Sequence, residues 1–190
     1  MAIDKINYIF DYLSEVKDIA SKIDREDIIR FIYDIEILRN KKGRLFILGV
    51  GGSAANASHA VNDFRKILNI ESYTVTDNAA ELTARINDES WEDSYKNWLK
   101  GSRLNERDAI LVFSVGGGSN TTSKNLVKAM DYAKECKSNI ISVVSRDGGY
   151  AKEVSDTCII IPVVDTNRIT CHAEEWQGII FHLVVNYFTK

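Results

Sequence analysis

Four short, almost unbroken apolar runs, RLFILGV (44–50), AILVFSV (109–115), NIISVVS (139–145) and TCIIIPV (157–163), are separated by stretches of helical periodicity. This pattern constrains the chain more than any other. A strand that is apolar on both its faces must be covered on both, so runs of this kind alternating with helices predict an α/β fold: a three-layer αβα sandwich around a parallel sheet. ESYTV (71–75) adds a fifth strand, for a sheet of about five. Helices are expected over 53–70, 78–86, 90–100, 123–136 and from about 174 to 187. Two further amphipathic helices lead the chain. One is marked by Ile3, Ile6, Ile9, Phe10, Leu13, Val16 and Ile19; the other follows Asp24, read as its N-cap, and carries Ile28, Ile29, Ile32, Ile35 and Leu38. Pro162 falls at a strand end, where it removes no essential ladder donor. With no linker, repeat or low-complexity tract, residues 1–190 are read as one domain.

Composition narrows the function classes. Twenty-four basic against twenty-seven acidic residues give a net charge of −3, too little positive field to hold a polyanion, so no nucleic-acid partner is expected. No apolar run has the length of a membrane span, and no membrane partner is expected either. Cys136, Cys158 and Cys171 are odd in number and lack CxxC spacing, which points to reduced thiols and a cytoplasmic location.

In an open parallel sheet, ligands bind at the carboxyl ends of the strands, and two of those ends carry Gly/Ser loops leading into helices. GVGGSAANASHAVNDF (49–64) and SVGGGSNTTS (114–123) both offer close backbone approach, unpaired helix N–H groups and hydroxyls, a combination that suits phosphate. Either loop alone reads equally well as a tight turn; two on one sheet favour a phosphorylated ligand. Neither is a P-loop or a dinucleotide fingerprint. His59 and Asp63, four residues apart on the first of these helices, can hold a divalent metal or share proton transfer, although such a pair is also an ordinary surface contact. The C-terminal stretch CHAEEWQGIIFHLVVNYF adds His172, Glu174, Glu175, Gln177 and His182. Thr83, Asn87 and Asp88 can bond a polyol, while their spacing alone fits a capped helix ending in a polar turn.

GVGGSAANASHAVNDF, ELTARIND, the SVGGGS loop and HAEEWQGIIFHL, in this order, resemble the sugar isomerase (SIS) domain family and, within it, the phosphoheptose isomerases. The resemblance implies a flavodoxin-like sheet order. It further implies a homotetramer with active sites between subunits, to which the helical pair at about 1–41 contributes, and a sugar-phosphate substrate. The reaction implied is the interconversion of sedoheptulose 7-phosphate and D-glycero-D-manno-heptose 7-phosphate through an enediol, in heptose biosynthesis for capsule or lipopolysaccharide. It makes Ser53 and Ser119 phosphate ligands, with Ser114, Gly116 and Gly117 completing the cradle and Gly52, Asn87, Asp88 and Gln177 lining the substrate site. His59, Asp63, Glu174 and His182 become the ligands of a divalent metal, with zinc favoured. Asp63, Glu174 and His182 become the catalytic set.

The chain departs from the family pattern where Asp63 replaces a glutamate, Glu174 a glutamine and Gln177 a histidine, and where Val115 and Gly116 replace two hydroxyls of the phosphate loop. Arg65 and Lys66 are candidates to compensate the lost phosphate contacts. Two other readings stay open. One is an isomerase of a different ketose phosphate; the other is a non-catalytic SIS module that binds a sugar phosphate or partners replication initiation.

Overall fold

The computed structural model describes residues 4–190; Ile3, first in the leading helical pattern, lies outside them. Helices α1 (Lys5–Lys22) and α2 (Arg25–Asn40) open the chain, each started by an aspartate whose carboxylate accepts a first-turn N–H: Asp4 from Ile6 and Asp24 from Glu26. Then follow β1 (Leu45–Leu48), α3 (Gly52–Lys66), β2 (Ser72–Tyr73), a 3₁₀ turn (Val75–Asp77), α4 (Ala79–Asp88), α5 (Ser94–Gly101), β3 (Ala109–Phe113), α6 (Lys124–Glu135), β4 (Asn139–Val144), α7 (Gly149–Val154), β5 (Thr157–Ile160) and α8 (Ile169–Tyr187).

All pairings are parallel and the strand order is β2-β1-β3-β4-β5, the flavodoxin-like order. Because side chains alternate along a strand, each run feeds two cores. Leu45 and Ile47, with Leu111 and Phe113, face the layer built by α1, α2, α3 and α8; Phe46, Leu48, Ile110 and Val112 face that of α5, α6 and α7. The expected three-layer sandwich is what forms. At the amino end of the sheet, Arg44 and Asp108 pair at 2.7 Å and bind the starts of β1 and β3 together.

Several expected boundaries shift. The strand expected over 71–75 keeps two residues, since it is an edge paired only through Leu45–Ser72 and Phe46–Tyr73. Helix α3 stops at Lys66 rather than at 70, because Asn69 takes a left-handed backbone (φ 55°) and Ile70 N–H returns to Phe64 O at 3.0 Å. The segment 149–154, to which the sequence pattern assigned no element, is a helix, and α8 begins at Ile169, five residues earlier than the expected 174. Pro162 lies beyond β5.

Candidate active site

The turn after β1 delivers α3 directly at the carboxyl edge of the sheet. Ala57, Ala60, Val61 and Phe64 bury one face of that helix in the core, which turns His59 and Asp63 toward α8. The two helices run side by side in the same direction: Asn56 Nδ2 donates to Glu174 O (2.8 Å) and Gln177 Oε1 (3.1 Å), and two turns further down Asp63 meets His182. Asp63 Oδ2 lies 3.4 Å from His182 Nε2 and 3.7 Å from His59 Nε2, while Oδ1 accepts from Asn62 Nδ2 at 2.9 Å. His182 Nδ1 is 2.8 Å from Gly178 O. A carbonyl only accepts, so Nδ1 carries a proton and Nε2 is the atom offered to Asp63. The imidazoles meet edge-on at 4.9 Å between centroids, backed by the Phe181 ring at 4.1 Å from His182 and 5.2 Å from His59. Asp63 is nearly buried, whereas His59 and His182 keep about half of their side chains open, at 54% and 44%. The result is a carboxylate walled by two imidazoles and reachable from one side.

His59, Asp63 and His182 each present a ligand atom, all within 4.8 Å of one another. Two nitrogens and one oxygen, with one imidazole anchored through its far nitrogen to a carbonyl, is a donor set that fits a divalent metal and leaves coordination positions open. Glu174, expected as a fourth ligand, is not in this group. Its carboxylate packs on Gly52, where a β-carbon would come within 2.3 Å of Oε2. A side chain at 52 would therefore displace the Glu174 carboxylate, and Glu174 sits at the amino end of α3, two turns of α8 away from His182.

The second loop leaves β3 at Phe113. Ser114 Oγ accepts from Gly117 N–H at 3.1 Å, and Gly117, at φ 71°, lies so close to the Gly148 carbonyl that a β-carbon would stand 1.9 Å from its oxygen. Ser119 Oγ accepts from Thr121 and Thr122 N–H at 3.2 and 3.1 Å. The residue at the amino end of α6 is Ser123, whose side chain makes no capping bond. Leu126 N–H turns back to Ser123 O at 3.0 Å, which leaves the Ser123 hydroxyl and the Lys124 and Asn125 N–H groups to face an anion. Sequence reasoning stopped at Ser119; a hydroxyl residue just before an apolar-periodic run is the N-cap signal that marks Ser123. It also missed Arg146, which shares a cavity of about 520 Å³ with Gly116, Gly118, Ser119, Thr122 and Ser123. Arg65, considered as a compensating charge, donates instead to Ser72 O at 3.0 Å and covers the Tyr73 ring. Lys66 stands in the last turn of α3, at the far end from the loops.

The remaining candidates are spread out. Ser53 and Ser114 are buried at the two loops. Gln177 is fully buried in the α3–α8 seam, its Oε1 held by Asn56 and its Nε2 unpartnered. Asn87 and Asp88 are exposed at the end of α4, bonded to each other at 2.7 Å, and do not join the His59 group.

His172 belongs to a separate network. Its Nε2 faces Glu15 at 2.8 Å and its Nδ1 faces Glu175 at 3.1 Å, while Tyr12 donates to Glu175 and Arg168 grips Glu15. This ties α1 to the start of α8. The Arg168 guanidinium above all, with the His172 ring, holds the Glu15 carboxyl well below its ordinary 4.5, at about 2, against the opposing effect of burial. A carboxyl lowered on folding stabilises the fold above its ordinary pKa, and that contribution fades as the pH falls from 4.5 toward 2. Glu15→Gln is therefore expected to melt lower than wild type at pH 6 and to show a shallower further loss between pH 4.5 and 2 in thermal melts. Parallel profiles of the two proteins would contradict this role.

The SIS domain model matches residues 11–145, most of the chain. The chain belongs to the SIS domain family. Within it the chain falls in the phosphoheptose isomerase group. It is 30% identical over 155 residues to the phosphoheptose isomerase of Helicobacter pylori, covering 79% of this chain and 76% of that protein. It is 26% identical over 190 residues to the phosphoheptose isomerase of Syntrophotalea carbinolica, covering 94% and 91%. The fold is that of the Neisseria gonorrhoeae phosphoheptose isomerase, with a TM-score of 0.82 over 96% of both chains at 22% identity. Among the described residues, no helix is long and apolar enough to cross a membrane.

Proposed function

We propose that the chain is an aldose-ketose isomerase of the phosphoheptose isomerase type, converting sedoheptulose 7-phosphate to D-glycero-D-manno-heptose 7-phosphate. The observation that carries the reading is the Asp63 carboxylate held between His59 and His182 on one open wall. Isomerisation requires a base to take the proton from the carbon beside the carbonyl, an acid to serve the oxygens, and a stabiliser for the enediolate charge. Asp63 Oδ2 is the base. His182, fixed by its Nδ1–H on Gly178 O, offers the Nε2 lone pair, as a proton acceptor where no ion is bound or as a ligand where one is, and His59 completes the polar wall. A divalent metal, zinc by preference, would be held by His59, Asp63 and His182 and would supply Lewis-acid polarisation of the substrate oxygens. Glu174 as base is less well supported, since its carboxylate lies at Gly52, away from the imidazoles.

The two loops are not equivalent as phosphate sites. The Glu174 carboxylate crowds the amino end of α3, while α6 offers the Ser123 hydroxyl and its uncapped first turn. The phosphate end of the sugar therefore goes to the 114–123 loop and the carbonyl end toward α3 and α8, with binding energy at one end positioning the other.

A homotetramer with sites between subunits is part of the same proposal. Ile6, Ile9, Phe10 and Leu13 form an exposed apolar stripe on α1, and Ile179 and Leu183 stand exposed beside His182 on α8, surfaces that a second copy would cover together with the open imidazoles. Cys136, Cys158 and Cys171 are unpaired, which fits the cytoplasm.

The test is incubation of the purified protein with sedoheptulose 7-phosphate, with and without chelator, following aldose formation. Turnover that chelation abolishes and added Zn²⁺ restores is the expected result. No turnover with metal present would remove the isomerase reading.

A further inference from the structure

The cavity beside the second loop contains a cation that neither the motifs nor the mechanism uses. Arg146 follows β4 in the turn where Gly148 N–H donates to Ser145 O at 3.0 Å, and it takes a left-handed backbone, φ 55°. That conformation is unfavourable for a residue with a β-carbon and here throws the side chain over the neighbouring loop. Arg146 is solvent-exposed, and its Cδ lies 3.9 Å from the place a β-carbon would take on Gly116, an ordinary van der Waals separation that sets the stem of the side chain alongside the loop. Arg44, Arg85 and Arg168 are all paired with carboxylates, whereas Arg146 has no such partner among the described residues. Asp147 also lines the cavity, but its Oδ1 accepts the Gly149 N–H at 3.1 Å. An unpaired guanidinium thus shares one cavity with Ser119, Thr122 and Ser123 at the amino end of α6.

We infer that Arg146 is the phosphate clamp of this chain. Its planar fork donates two N–H groups to the phosphate dianion, replacing the donors that Val115 and Gly116 do not provide. The inference rests on the sugar-phosphate reading above and goes beyond it by assigning the anion's charge partner and a determinant of preference for phosphorylated over neutral sugars.

Calorimetric titration of the full-length protein with inorganic phosphate and with sedoheptulose 7-phosphate tests it. Arg146→Ala is expected to weaken both by about tenfold or more, and Arg146→Lys by less, because a point charge lacks the bidentate fork. Arg103→Ala, which removes another arginine of left-handed backbone (φ 55°) on a different turn, is expected to leave both affinities unchanged. In turnover assays KM rises with little change in kcat, and melting curves confirm that each variant is folded. Equal affinity of Arg146→Ala and wild type, or a wild type that binds neither ligand, overturns the assignment. Arg146-dependent phosphate binding without any turnover upholds the clamp and sinks only the isomerase reading.

Discussion

Asp63→Asn is expected to lower kcat for sedoheptulose 7-phosphate isomerisation by about 10²- to 10⁴-fold, the range for losing a positioned general base. The substitution is nearly isosteric, so the Asn62 bond to Oδ1 and the packing of the seam can persist while the charge between His59 and His182 is lost. Circular dichroism and the melting temperature should stay near wild type, which separates a chemical defect from a folding one. Asp63→Glu, which restores the family's longer carboxylate, is expected to retain far more activity than the asparagine variant. Turnover of Asp63→Asn within tenfold of wild type would show that the base lies elsewhere, with Glu174 the next residue to replace.

Gly117→Ala is expected to cost about 2–5 kcal/mol of stability, from a non-glycine left-handed backbone and from forced overpacking together. For a chain of this size that is a fall in Tm of roughly 5–20 °C. The physical cause is double. The backbone stands at φ 71°, and the new β-carbon would be 1.9 Å from the Gly148 carbonyl oxygen, a backbone atom that cannot swing aside. Gly51→Ala, at φ 65° and ψ −130° with nothing within 4 Å, carries a backbone cost of its own but no overpacking. A loss below about 1 kcal/mol for Gly117→Ala would show that docking of the 114–123 loop onto the Gly148 turn is not the tight contact described here.

The sheet and the two Gly/Ser loops were legible because both rest on local patterns. Continuous apolar runs demand cover on two faces, glycines after them demand turns, and the pairing of His59 with Asp63 follows from the helical period alone. Sequence spacing also put Glu174 and His182 on one helix, but spacing has no means of choosing which of them meets Asp63. That choice depends on the lengthwise register of α8 against α3, over a hundred residues apart in the chain, and the packing of Ala57, Ala60, Phe181 and their neighbours sets it: His182 arrives at Asp63 and Glu174 at Gly52. The same distinction separates Ser119 from Ser123. Both are hydroxyls in one polar loop, and the folded loop separates them: Ser119 Oγ is taken up by Thr121 and Thr122 N–H, while the half-buried Ser123 side chain makes no capping bond. Arg146 reaches the loop because parallel pairing of β3 with β4 brings their carboxyl ends together. The sequence by itself determined the layers of the fold and the residues within each helix that can act together. The tertiary structure alone decided which helices and loops exchange contacts, because side-chain periodicity is local whereas the register between distant elements is settled by the packing of their buried faces.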